Sequence, residues 1–138
     1  MDSDIVDIEY KNRSTNVIVY KIYCKDVTVS DVYIGHTTNF YSRKKCHEKS
    51  CTTSSAKVYV FIRDHGGWGN WCMDILEKYT CKNRGQSSRL EWLWWTRLGG
   101  ALNSYTPGIN YIRRDIKKYS VDFEKYIHEL EIKCKQPS

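Results

Sequence analysis

Only two prolines, Pro107 and Pro137, interrupt the 138 residues, and no Gly/Ser-rich stretch, internal repeat or low-complexity segment divides them. Without a linker there is no seam between domains, and the length suits one compact domain. No apolar run approaches the roughly 20 residues that a membrane-spanning helix needs. The first ten residues carry four acids and no base, which argues against a secretory or transit signal. The expectation is an intracellular protein, of cytoplasm or nucleus, not secreted and with no membrane partner. Cys-x-x-Cys pairs are also missing. The six cysteines, at 24, 46, 51, 72, 81 and 134, show no repeating spacing, so reduced thiols are expected rather than disulfides. His36, Cys46, His47 and Cys51 come closest to a zinc cluster, but their spacing fits no standard structural site, and zinc is not expected.

What the chain does have is aromatic mass and positive charge. Five Trp and eleven Tyr within a 41% hydrophobic composition are enough for a core, which excludes a disordered polar chain. The formal net charge is +6, and it is unevenly spread: residues 1–10 contribute −4, whereas 11–51 contribute +5. Arg43, Lys44, Lys45 and Lys49 lie close together in that stretch. Such a cluster attracts a polyanion by releasing its counterions, or it is simply a solvated helix surface.

The elements follow from periodicity. Residues 17–25 are β-branched and aromatic and read as a strand; a polar turn leads to a second short strand over 31–36, ending at Gly35-His36. The two should pair as an antiparallel hairpin. Thr38 or Asn39 can cap a helix running to about Lys49, in which Arg43 and His47 share a face. Ser54 or Ser55 can cap a second helix with a stripe of Val58, Tyr59, Phe61 and Ile62, stopped by Gly66-Gly67. Trp71 to Tyr79 reads as a third strand. Ser87 or Ser88 can cap a helix of Leu90, Leu93, Trp94 and Leu98 closed by Gly99-Gly100, and Ser120 a final amphipathic helix to about Lys133. The fold class is therefore α/β (α+β), a small central three-stranded antiparallel sheet flanked by helices. An acidic segment (1–16), a main domain (17–110) and a C-terminal helical extension (111–138) packed on that same domain make up the expected organisation. The basic run Arg113, Arg114, Lys117 and Lys118 leading into the last helix adds phosphate contacts or, more commonly for such a run, is a solvated face, and Trp92, Trp94 and Trp95 read as core packing rather than base-stacking platforms.

Six positions stand out as a constellation. Tyr20 lies on the first strand, and Tyr33 opens Tyr-Ile-Gly at the end of the second. Arg43 follows Tyr33 by 10 residues, His47 by 14, Glu91 by 58 and Asn103 by 70. Taken singly, each is an ordinary strand aromatic, helix-surface charge or solvent-facing polar group. Together, over about residues 17–105, they resemble the GIY-YIG nuclease family. Ile18-Val19-Tyr20 stands in the place of the first motif, with Ile18 where the family has Gly, and Tyr33-Ile34-Gly35 matches the second unchanged. Thr37, Arg43, His47, Glu91 and the Leu102-Asn103 pair match the later positions. The cysteine-rich first helix is also similar to small stand-alone members from large double-stranded DNA viruses.

The resemblance implies a metal-dependent DNA endonuclease, and the residue types suit that chemistry. Phosphodiester hydrolysis needs an aligned water, a base, and positive charge where negative charge builds. Glu91 can hold one Mg²⁺ or Mn²⁺, which keeps most of its ligands as water and phosphate oxygen. Arg43 can place two donors on the phosphate and stays charged at any relevant pH. A phenol, with a reference pKa of about 10, needs nearby cations to act as a base, and the family implies that Tyr20 or Tyr33 does so. His47, and His36 after the glycine, can share that proton or hold the phosphate, and Asn103 positions groups by hydrogen bonding. Gly35 lets the backbone approach DNA, joined there by His36, Lys44, Lys45 and Lys49. Two other readings compete: a catalytically silent nucleic-acid-binding module of the same fold, and a zinc-stabilised interaction domain. The remainder after the motif region is too short for a second core. Sequence preference is therefore expected to be low, or to come from a partner or a homodimer.

Overall fold

The computed structural model describes residues 14–137, so the acidic segment expected over 1–16 falls, up to residue 13, outside the described residues. Strand β1 (Thr15–Cys24) is central, between β2 (Val32–Thr37) and β3 (Trp71–Cys81), and both pairings are antiparallel. This is the expected three-stranded sheet, flanked by helices α1 (Phe40–Ser50), α2 (Lys57–Asp64), α3 (Arg84–Leu98), α4 (Ile109–Tyr119) and α5 (Phe123–Cys134).

Alternation along β1 divides the core in two. Val17 and Val19 face α3, α4 and α5, joining Ile34, Tyr79, Leu90, Ile112, Ile127 and Leu130. Tyr20, Ile22 and Cys24 face the other way, joining Val58 and Ile62 of α2, with Trp71, Met73 and Leu102. β3 would break this division if its side chains alternated without interruption, since Trp71, Met73, Tyr79 and Cys81 are all odd-numbered. A register shift opposite Val19/Tyr20 inserts one residue near Leu76 and exchanges the faces, so the first pair lies in one core and the second in the other.

The helix starts correct the sequence reading in three places. Asn39 does cap α1, its Oδ1 accepting from Ser42 N at 3.0 Å. For α2, Ala56 occupies the cap position, and Ser54 Oγ accepts from Ala56 N two residues too early to cap the helix. For α3 the cap is Asn83, not Ser87 or Ser88: its Oδ1 accepts from Gln86 N at 2.9 Å, and both serines are buried within the helix. Ser87 is small enough to be enclosed there and donates back to the Arg84 carbonyl. Ser120 likewise does not cap the final helix: Asp122 holds that position, and the helix itself ends at Cys134, next to the expected Lys133. Ser120 sits at φ 51° between α4 and α5, where the chain doubles back. That reversal lets Ile112 from one helix and Ile127 and Leu130 from the other reach the same core. Gly99, at φ 65° and ψ 58°, ends α3 as expected.

Two ion pairs fasten the extension. Arg89 grips Asp115 through Nε (2.5 Å) and Nη2 (2.9 Å), tying α3 to α4. Arg97 grips Glu131 at 2.9 and 2.7 Å, and Tyr79 donates to the same carboxylate at 2.5 Å, tying α3 and β3 to α5. Trp92, Trp94 and Trp95 pack against this core, as the sequence reading expects.

Candidate active site

The hairpin register brings the two motif tyrosines together. Tyr20 pairs with Gly35 and Ile22 with Tyr33, which puts both phenols on one face of the sheet, ring centroids 6.5 Å apart. The pairing also explains Gly35. A Cβ built there would overlap the Tyr20 hydroxyl and ring, so Tyr20 can lie across position 35 only if that position has no side chain.

Past Gly35, Thr37 Oγ1 accepts from Asn39 N at 3.1 Å and fixes the turn into α1. α1 is polar, and its buried residue is His47. His47 is enclosed by the rings of Tyr20, Tyr33, Tyr59 and Trp68. Both its nitrogens are engaged: Nε2 lies 2.8 Å from the Tyr20 hydroxyl and Nδ1 2.9 Å from that of Tyr59. Of the groups His47 is expected to meet, the structure places Tyr20 against it and leaves the ring fully buried. Arg43, one turn earlier, lines the neighbouring cleft, and its charge acts on the Tyr20 hydroxyl.

Tyr20 itself is fully buried. Burial pushes its hydroxyl well above the usual phenol range and the nearby Tyr33 adds to this, while the charge and hydrogen bond of Arg43 pull the other way. Its resting form is the neutral phenol.

Glu91 approaches from the opposite face of the sheet. α3 packs against β2, and Glu91 Oε1 meets His36 Nδ1 at 2.5 Å, both side chains mostly enclosed. Among the described residues, His36 Nε2 is buried without a hydrogen-bond partner. The free edge of β2 lies between these two halves, and Asn103 covers it. Asn103 Oδ1 accepts from Ile34 N at 3.0 Å and its Nδ2 donates to Ile34 O at 2.8 Å, while Leu102 N donates to Val32 O. The amide thus substitutes for a neighbouring strand and ties Asn103 to the Tyr-Ile-Gly segment.

The result is one cleft of about 630 Å³ around the end of β2, lined by Tyr33, Gly35, His36, Arg43, Glu91 and Asn103, with Tyr59 and Tyr105 on its rim and wall. Tyr20 and His47 lie behind it. Lys44, Lys45 and Lys49 are exposed on α1, outside the lining, and Arg113, Arg114, Lys117 and Lys118 are exposed on α4. Among the described residues no group of three or more His, Cys, Asp or Glu side chains converges as a metal cage. Sequence reasoning missed Tyr59, which it assigned to the apolar stripe of α2. Nothing in the local pattern separates a phenol packed in a core from one bonded to a histidine 12 residues away.

The family model of the GIY-YIG catalytic domain matches residues 16–104, more than half of the chain. No curated protein and no solved structure matches it.

Proposed function

Since the chain belongs to the GIY-YIG nuclease family, we propose that it is a metal-dependent DNA endonuclease that hydrolyses phosphodiester bonds in the cleft around β2. The observation that carries this reading is the convergence of Tyr33, Arg43 and Glu91 on one cleft, with Tyr20 and His47 bonded to each other directly behind it.

The donor set suits Mg²⁺ or Mn²⁺. Glu91 is a single carboxylate in the cleft lining, and an ion that keeps most of its ligands as water and phosphate oxygen needs no more from the protein. Glu91 would hold it, steadied by His36, and the bound ion would supply positive charge to the phosphate and the leaving 3′-oxygen. Arg43 offers its guanidinium to a non-bridging phosphate oxygen, where charge grows in the transition state.

Tyr20 handles the proton. Its elevated pKa means that no phenolate waits in the resting site, so it works as a relay. It takes a proton from the attacking water while passing its own to His47 Nε2, 2.8 Å away. Gly35 lines the cleft directly beside that hydroxyl, and substrate binding brings the water to it there. Tyr33 borders the same cleft and holds the water against the phosphate. Asn103 keeps β2 in register with the rest, and Lys44, Lys45 and Lys49 extend the positive surface beside Arg43 for the DNA backbone.

The test is plasmid nicking. Supercoiled DNA incubated with the protein and Mg²⁺ or Mn²⁺ should be nicked by the wild type and left intact with EDTA, and Glu91→Ala should lower the rate by about 10³-fold or more, the scale of losing a principal electrostatic stabiliser. DNA binding without cleavage by either protein overturns the enzyme reading in favour of a silent binding module.

A further inference from the structure

The bonds around His47 allow one more step, which rests on the proposed relay. Tyr20 has one O–H, and it is carried in a fully buried side chain, where an unpaired donor is costly. In the resting site that O–H therefore needs an acceptor within the protein. The acceptor at hand is His47 Nε2, at 2.8 Å. A neutral imidazole carries one N–H and one bare nitrogen. If Nε2 is bare, the hydrogen is on Nδ1, and its partner there is the Tyr59 hydroxyl at 2.9 Å.

We propose that Tyr59 is a positioning residue for the hydrolysis: its oxygen accepts from His47 Nδ1–H, which holds the imidazole in the tautomer whose bare Nε2 can take the proton of Tyr20. In the step itself the Tyr20 O–H bond breaks and the His47 Nε2–H bond forms. Tyr20 regains a proton from the water whose oxygen bonds to phosphorus as the bond from phosphorus to the 3′-oxygen breaks, and the leaving oxygen takes up a proton from solvent. The imidazolium so formed keeps its Nδ1–H bond to Tyr59, a second oxygen over which its charge is stabilised.

The placement of Tyr59 is supported from below. α2 is a short helix without a side-chain cap, and it is held by Val58 and Ile62 in the core. Arg63 adds two bonds, Nη1 to Cys51 O (2.9 Å) and Nη2 to Ser54 O (2.8 Å), on either side of the turn that follows α1. The helix bearing His47 and the helix bearing Tyr59 are thereby locked to each other. Tyr59 also lines the cleft, beside the residues proposed to act on the phosphate.

Tyr59→Phe removes the oxygen and keeps the ring. Two readouts test it on the full chain. In a long-range ¹⁵N–¹H correlation spectrum, wild-type His47 should show Nδ1 protonated, and the variant a mixture of tautomers or protonation at Nε2. In the nicking assay, kcat should fall about 10- to 100-fold with KM for plasmid unchanged within twofold. A wild-type His47 protonated at Nε2, a variant that retains the Nδ1–H tautomer, or an unchanged kcat overturns the proposal. The spectrum needs no turnover, so a wild type that fails to cleave DNA counts against the nuclease reading and leaves the tautomer readout to decide this one.

Discussion

Single residues in this site are constrained by neighbours distant in sequence, and Gly35 shows how tightly. Its Cα stands where Tyr20 crosses β2, and the Tyr20 ring has little freedom to withdraw: its hydroxyl is bonded to His47, and Phe40 packs edge-on at 6.2 Å. A methyl group at position 35 must displace that ring or the strand. Overpacking of this sort costs typically about 1–3 kcal/mol. Gly35→Ala is therefore expected to lower the unfolding free energy by that amount, read as a lower urea midpoint at an unchanged slope, and to abolish nicking because the Tyr20–His47 bond is broken. A midpoint equal to that of wild type would show that the ring can move aside. The same residue explains why the Tyr-Ile-Gly triplet ends in glycine whatever follows it: the requirement comes from the facing strand. Ile18, where the family has glycine in the first motif, meets no such constraint. It pairs with Thr37 and Lys78 at ordinary strand positions, and the Tyr20 contacts are made without a glycine there.

Among the elements, β2 matters most, because it is an edge strand from which both halves of the site project. An uncovered edge leaves backbone donors and acceptors unpaired, and here the segment after α3 covers it with the side chain of Asn103 and the backbone of Leu102. Asn103→Leu keeps the volume and removes both side-chain bonds. Each buried polar group left unsatisfied costs about 1–3 kcal/mol, so the variant should be destabilised on that scale, and the Ile34 amide should exchange with deuterium faster than in wild type. An Ile34 amide equally protected in both proteins would contradict the edge-covering role. How much of this was legible in the sequence depends on the range of the interaction. The hairpin, the Asn39 cap and the Gly99 stop are set by residues within a turn of each other, and the pattern of types displays them. The Asn83 cap was hidden because two buried serines nearby look like better ones. The shift near Leu76 depends on which face of the sheet each half of β3 must cover, a property of two cores that no local period encodes. Glu91 could be picked out as an acid within an aromatic helix, but its meeting with His36, 55 residues away, comes from the packing of α3 on β2.

For the molecule as a whole, a thin sheet with a core on each side gives the charge its layout. α3, α4 and α5 fill one face with apolar side chains and two buried or half-buried ion pairs, whereas α1 has an almost wholly polar surface around the single buried ring of His47. The exposed Lys44, Lys45 and Lys49 are free to meet a polyanion because that helix contributes so little to the core. They also sit on the element that carries Arg43 into the cleft. If these lysines meet the backbone of a bound duplex, each phosphate they neutralise releases condensed counterions, and the logarithm of the binding constant falls against the logarithm of salt with a slope of about −0.9 per phosphate. Replacing all three with Ala in the Glu91→Ala background, so that the DNA stays intact, should make that slope shallower by about 0.9 for every phosphate that is no longer neutralised. The weakening should be the same for duplexes of unrelated sequence, since phosphates carry no base identity. Fluorescence anisotropy titrations across a range of salt concentrations give both quantities. A slope unchanged by the triple substitution would place the DNA track elsewhere on the surface. A weakening confined to one duplex sequence would mean that these side chains read bases instead.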